Sequence, residues 1–182
     1  MDPIKTIQKY YDKNSKLYAI LIKHSKSVKN KAIEIAKKVP EFKPDLEFIK
    51  EAAMLHDIGI YLTNAPKIEC YGDKAYISHG VIGRTILEKE GYPKHALVCE
   101  RHVGLGLTPK DIEKQKLPIP KRDMTPKTIE EEIICLADKF FSKSNHKLDK
   151  EIDIEIIKEK QAKFGKEKLE KLDKLLKKFK LK

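Results

Sequence analysis

The chain has 182 residues, 40% of them apolar and 37% charged, with a formal net charge of +11. That is enough for one well-packed domain and too little for two, and the balance excludes a disordered polymer. The longest apolar run, about Leu17 to Ile22, excludes a membrane span, and Met1-Asp2-Pro3 opens no basic-then-apolar leader, so a cytoplasmic protein with no membrane partner is expected.

Asp2-Pro3 reads as a capping carboxylate before a proline at the first helical position and predicts a short helix to Tyr11. From Ser15 to Val39 apolar residues (Leu17, Ile20, Leu21, Val28, Ala32, Ile35) recur at three- and four-residue spacing, with His24 on the same stripe. A third helix is predicted from about Leu46 to Ile58, terminated by Gly59. Ile60 to Tyr76 is irregular. Ser78 is expected to cap a fourth helix running to Gly91, and Pro93 opens a fifth through Val103, ended by Gly104 and Gly106. Thr108-Pro109-Lys110-Asp111 reads as a further capped turn, followed by a loop with Pro118 and Pro120. Thr125-Pro126 begins a helix through about Lys143. Asp149 to Leu181 then reads as a Lys-rich amphipathic pair, or one long helix interrupted near Gly165. With no repeat and no strand series, the fold class is all-α. The division is a helical bundle over 1–146 and a basic helical extension over 147–182, packed on or flanking the same domain.

The positive charge is terminal. Residues 1–45 carry +6 and 147–182 carry +5, while 46–146 balance to zero; Lys174 to Lys182 alone hold five lysines and no acid. A phosphate-tracking groove spreads its charge along a working surface, so this excess reads as a solvated helix face and nucleic acid is not the favoured partner. The Lys/Glu/Ile-rich composition resembles hyperthermophile usage, which further weakens charge as evidence for partners. The three cysteines, Cys70, Cys99 and Cys135, fit neither a disulfide framework nor a CxxC zinc site.

Six polar residues stand where the helical pattern expects core: His24, His56, Asp57, His79, His102 and Asp138. His56 and Asp57 close the segment Glu51-Ala-Ala-Met-Leu-His-Asp-Ile-Gly59; His79 shares a face with Ile82 and Ile86, His102 with Val98 and Cys99, and Asp138 lies among Ile134, Cys135 and Phe141. A buried imidazole or carboxylate without a partner costs several kcal/mol. Any one such histidine reads as a satisfied core residue. Four of six histidines and two aspartates share a single explanation, a bound divalent cation, since neutral imidazole and carboxylate are what such metals take.

In this ordered set the chain resembles the HD superfamily of metal-dependent phosphohydrolases, whose H…HD…D signature would be His24, His56-Asp57 and Asp138. The surrounding words match too: His24-Ser-Lys-Ser-Val28, Ala52-Ala-Met-Leu-His-Asp-Ile-Gly59 and Leu136-Ala-Asp-Lys139. His79 and His102 match the extended H…HD…H…H…D pattern of two-metal members, as in a small archaeal-like protein. The resemblance covers roughly residues 15–145 and implies one metal on His24, His56, Asp57 and Asp138. It implies a second on His79 and His102, with Asp57 bridging and with Asp57 and Asp138 as catalytic residues. The cofactor would be one or two ions of Mn, Fe, Co, Ni or Zn. The implied activity is hydrolysis of a nucleotide or cyclic phosphate, as a phosphodiesterase or phosphatase, through a metal-bound water.

Arg84, Arg101 and Lys139 are the candidates for holding the phosphate of a small, nucleotide-like substrate. His95, two turns before His102, is expected at the pocket mouth, and His146 in solvent. One departure stands out: many extended-pattern relatives follow HDIG with Lys or Arg, and this chain has Ile60. Two other readings share these residues: an HD-type di-iron oxygenase, and a non-catalytic RNA- or partner-binding module with a structural metal. The oligomeric state stays open.

Overall fold

The computed structural model describes residues 1–143 and 148–181. Among these residues the fold is all-α, with nine α-helices and one two-stranded hairpin. Helix α1 (Pro3–Gln8) starts where Asp2 accepts hydrogen bonds from the N–H groups of Ile4 and Lys5. Helix α2 (Lys16–Lys38) is capped by the Ser15 hydroxyl, and its stripe Leu21, His24, Val28, Ala32, Ile35 is wholly buried. Helix α3 (Leu46–Leu55), capped by Asp45, packs along α2.

The segment after α3 holds the 3-10 turns Ile60–Leu62, Pro66–Ile68 and Tyr76–Ser78 and the strands β1 (Asn64–Ala65) and β2 (Cys70–Tyr71), which pair antiparallel. Helices α4 (His79–Lys89) and α5 (Pro93–Arg101) pack on each other. Gly80 allows this, because a β-carbon there would lie 2.6 Å from the Cys99 carbonyl oxygen. Helix α6 (Pro109–Lys114) carries a reciprocal cap between Thr108 and Asp111. Helix α7 (Ile129–Asp138) is central, contacting α2, α3, α5 and α9.

Helices α8 (Ile154–Ala162) and α9 (Lys166–Lys178) part at Gly165, whose φ of +110° is a conformation that side-chain-bearing residues rarely adopt. They belong to the main core. Ile157, Leu172, Leu176 and Phe179 are buried in one cluster with Val28, Ile133 and Leu136, each burial stabilising by about 1.5–3 kcal/mol. Lys31, 8% exposed, reaches Glu151 at 2.8 Å, and Lys168 donates to the Gly106 carbonyl at 2.9 Å and pairs with Asp111 at 2.7 Å.

Several boundaries depart from the sequence expectation. Helix α3 ends at Leu55 rather than Ile58, so Gly59 does not terminate it; the φ of Gly59 is an ordinary −84°. Its lack of a side chain serves packing instead, since a β-carbon would lie 2.2 Å from the His79 carbonyl oxygen. Helix α7 starts at Ile129 because Thr128 is the cap, while the Thr125 hydroxyl is taken by Asp123 at 2.6 Å. It stops at Asp138 rather than Lys143, and Phe140 and Phe141 turn into the core. Ser78 sits at the start of α4 but makes no side-chain cap bond. All three cysteines are free and buried, and no helix among the described residues is long and apolar enough to cross a membrane.

Candidate metal centre

The ends of helices build the centre. His24 projects from α2. His56 and His102 are the C-caps of α3 and α5, where the carbonyl three residues back is free of the helix ladder and binds the ring instead. The ring nitrogen Nδ1 of His56 lies 2.7 Å from the Ala53 carbonyl oxygen, that of His102 2.7 Å from Cys99, and that of His79, the first residue of α4, 2.6 Å from Tyr76. A carbonyl only accepts, so each Nδ1 carries a proton and each Nε2 faces inward, where a neutral ring presents a lone pair.

Asp57 stands between two groups of histidines and divides its oxygens between them. Oδ2 lies 3.0 Å from His56 Nε2 and 3.3 Å from His24 Nε2, while Oδ1 lies 3.4 Å from both His79 Nε2 and His102 Nε2. Asp138, the last residue of α7, adds Oδ1 at 3.1 Å from His24 Nε2 and 3.5 Å from His56 Nε2. The donor atoms thus fall into two sets, His24–His56–Asp57–Asp138 and Asp57–His79–His102, each spanning no more than 4.8 Å.

These donors fit divalent cations on physical grounds. His56 Nε2 and Asp57 Oδ1 are buried without a hydrogen-bond partner, a cost of about 1–3 kcal/mol per neutral group and more for a charged one. His79 Nε2 and His102 Nε2 face each other at 3.2 Å. With both Nδ1 protons committed, two lone pairs are opposed, and a cation relieves the repulsion. The set of imidazole and carboxylate suits transition-metal dications.

Electrostatics follow from the same packing. Burial opposes the charge of Asp57, but His56 and Lys143 hold its carboxyl well below the usual range; Asp138 is held down against burial by Lys139 and Lys143. Burial pushes His79 down to about 3 and lowers His102, so both rings are neutral. Burial also acts to lower His56, yet Asp57 and Asp138 outweigh it and raise that ring to about 9.

Beside the centre lies a cavity of about 550 Å³. Tyr76, Asp138 and Lys143 form the part of its lining that touches the cluster, and Lys139 pairs with Asp138 Oδ2 at 2.8 Å. Lys143 went unrecognised in the sequence. Its ammonium sits 2.8 Å from Asp57 Oδ2 and 3.8 Å from Asp138 Oδ1. It follows the end of α7, where helical spacing no longer predicts direction, so no sequence signal marked it. Of the three phosphate candidates, Lys139 lines the cavity; Arg84 and Arg101 do not. Arg84 is bound to Glu88 and to buried Glu100 at 2.6 Å, and Arg101 to Glu131 at 2.8 Å. Nor does His95 line it, being paired with Glu51 and packed on Phe48. His146 lies outside the described residues.

A helical fold that closes two histidine–carboxylate sets around one shared aspartate has the donor arrangement of an HD-type domain. The chain belongs to the HD domain family, which matches residues 21–143. It is also similar to the tRNA (cytidine(56)-2′-O)-methyltransferases of Thermoplasma volcanium (37% identical over 67% of this chain and 32% of that protein) and Picrophilus torridus (34% over 68% and 32%). An uncharacterized protein of Methanocaldococcus jannaschii is 34% identical over 65% of this chain and 64% of its own length. The similarity thus spans about a third of the two methyltransferases and somewhat under two thirds of the third relative. No solved structure matches the chain.

Proposed function

We propose that the chain is a metal-dependent phosphohydrolase cleaving a phosphate ester of a nucleotide-sized substrate. The observation that carries this is the division of the Asp57 oxygens between two histidine groups, next to a cavity with four lysines and one carboxylate in its lining. His24, His56, Asp57 and Asp138 would hold one cation, and His79 and His102 with the other oxygen of Asp57 a second. When bound, such ions supply Lewis acidity and an acidified water.

The remaining work falls to the chain's own groups. Lys139 and Lys143 present ammonium groups to a phosphoryl oxygen in the cavity, replacing the base that Ile60 lacks. Asp138, 7% exposed, is the cluster carboxylate that opens onto the cavity and is placed to take a proton there. The apolar lining, including Ile68, Phe141 and Ile157, excludes water around the reacting group. A volume of about 550 Å³ suits one nucleotide.

The test is phosphate release from an aryl phosphodiester and its monoester twin by Mn²⁺-reconstituted protein. Turnover that Asp57→Ala abolishes, together with metal binding and without loss of helical circular dichroism, supports the proposal. Full activity in Asp57→Ala would sink it.

The names of two relatives favour a second form of this reading, in which the nucleotide is the end of an RNA. Methyl transfer itself is not proposed, because paired dications serve phosphoryl oxygens rather than a methyl group. An oligoribonucleotide ending in a cyclic phosphate, cleaved faster than the matching mononucleotide, supports the RNA form.

A further inference from the structure

The cavity has a wall that the family match does not reach. Residues 21–143 cover the cluster, but Ile152, Ile157, Lys160 and Gln161, from α8 and the segment before it, line the same cavity. Facing ligand space with them is Lys67, from the turn between β1 and β2.

Three polar groups on these walls are spare. Lys139 and Lys143 are paired with Asp138 and Asp57, but among the described residues no carboxylate pairs with Lys67 or Lys160. Gln161 is 8% exposed, yet its carboxamide has no hydrogen-bond partner among the described residues and opens into the cavity. No hydrogen bond or ion pair among the described residues joins any of the three to the cluster. A carboxamide that opens into a cavity without a partner in the protein is free to bond a ligand there, and two unpaired ammonium groups lining one cavity favour an anion. The apolar strip of Ile68, Phe141, Ile152 and Ile157 suits the uncharged body of the same ligand.

We propose that Lys67, Lys160 and Gln161 bind a second phosphate of the substrate, so that the preferred ligand is a nucleotide-sized molecule with two separate phosphoryl groups. Helix α8 is then the specificity wall of this chain. The inference rests on the phosphohydrolase reading only for what the Asp57 cluster does with the first phosphate.

The experiment measures equilibrium binding to Mn²⁺-loaded full-length protein by calorimetry, so that its readout is not turnover. The probes are the four ribonucleoside 3′,5′-bisphosphates and the matching 5′-monophosphates. At least one bisphosphate is expected to bind tenfold or more tightly than its monophosphate. The double variant Lys67→Ala/Lys160→Ala removes two exposed side chains without touching the core, and should bring that ratio to within about twofold while leaving monophosphate affinity unchanged. Gln161→Leu, which keeps the packing volume, should lower the ratio as well. A ratio near one in the wild type, no binding of either class, or a ratio unchanged in the double variant would overturn the inference. An intact ratio with no phosphate release from any probe would instead defeat the phosphohydrolase reading and leave the second-phosphate site standing.

Discussion

Gly59 and His79 pack so closely that a methyl group on Gly59 would lie 2.2 Å from the His79 carbonyl oxygen and 2.5 Å from the Gly83 nitrogen. The glycine after His56-Asp57-Ile58 therefore sets how near α4 comes to the end of α3, and with it the distance from Asp57 to His79. Both obstacles are backbone, so Gly59→Ala must push α4 away. The expected cost is about 1–3 kcal/mol, with at least tenfold weaker binding of the second metal. Metal-to-protein ratios after dialysis at graded free Mn²⁺ check this; a wild-type second-site affinity would contradict it.

Lys143 acts in the metal-free protein as the counter-charge of two buried carboxylates. Removing one partner of a buried pair costs about 3–5 kcal/mol, whereas a bound dication supplies the missing charge. Lys143→Met should therefore lower the metal-free melting temperature more than the metal-loaded one, enlarging the shift on adding Mn²⁺. Equal losses in both forms, seen by calorimetry with and without chelator, would refute this role.

Metal uptake should expel a proton. In the metal-free protein the His56 ring is raised to about 9 from an ordinary 6.5. Its charge contributes stability that is complete below about pH 6.5 and lost as pH rises through about 9. A cation needs that ring neutral, so affinity should climb across this window. His79 and His102 are shifted the other way and release nothing. Calorimetry at pH 7.5 in two buffers of different ionisation enthalpy should show about one proton released per first metal, and close to none above pH 9.5.

Phe179 tests whether the C-terminal helices and the ligand-bearing helices unfold as one unit. It is fully buried among α2, α3 and α7 residues. Truncation to Ala should cost about 3–5 kcal/mol and lower the melting temperature by roughly 6–20 °C, with the transition still single. Two transitions, with the metal-responsive one unmoved, would show the extension to be an independent layer.

How far these features could be read in the residues depends on the physics behind each. Helix starts were legible where a side chain performs the capping, as at Asp2, Ser15 and Thr108. They were misplaced where two candidates compete, as with Thr125 and Thr128. The six polar residues on inward faces were conspicuous because apolar periodicity marks them as misfits, and the fold brings them together. Lys143 could not be seen that way, since it lies past the last turn of α7. The cavity was hidden for a related reason: its walls come from residues about 65–68, 138–143 and 152–161, and their meeting is a tertiary fact that no local spacing encodes. Arg84 stands away from that cavity because it pairs with Glu100, whose burial is likewise a tertiary fact.

The separation of ligands from wall has a consequence during synthesis. Chains emerge and fold from the N-terminal side. All six cluster residues have left the ribosome once residue 138 is out, whereas Lys160 and Gln161 have not. A nascent chain thus holds a complete ligand set before it holds a complete pocket. Because Ile157, Leu172 and Phe179 share one core with the helices that carry the six residues, the cluster and the wall beside it reach their final places together, after the C-terminal helices have emerged.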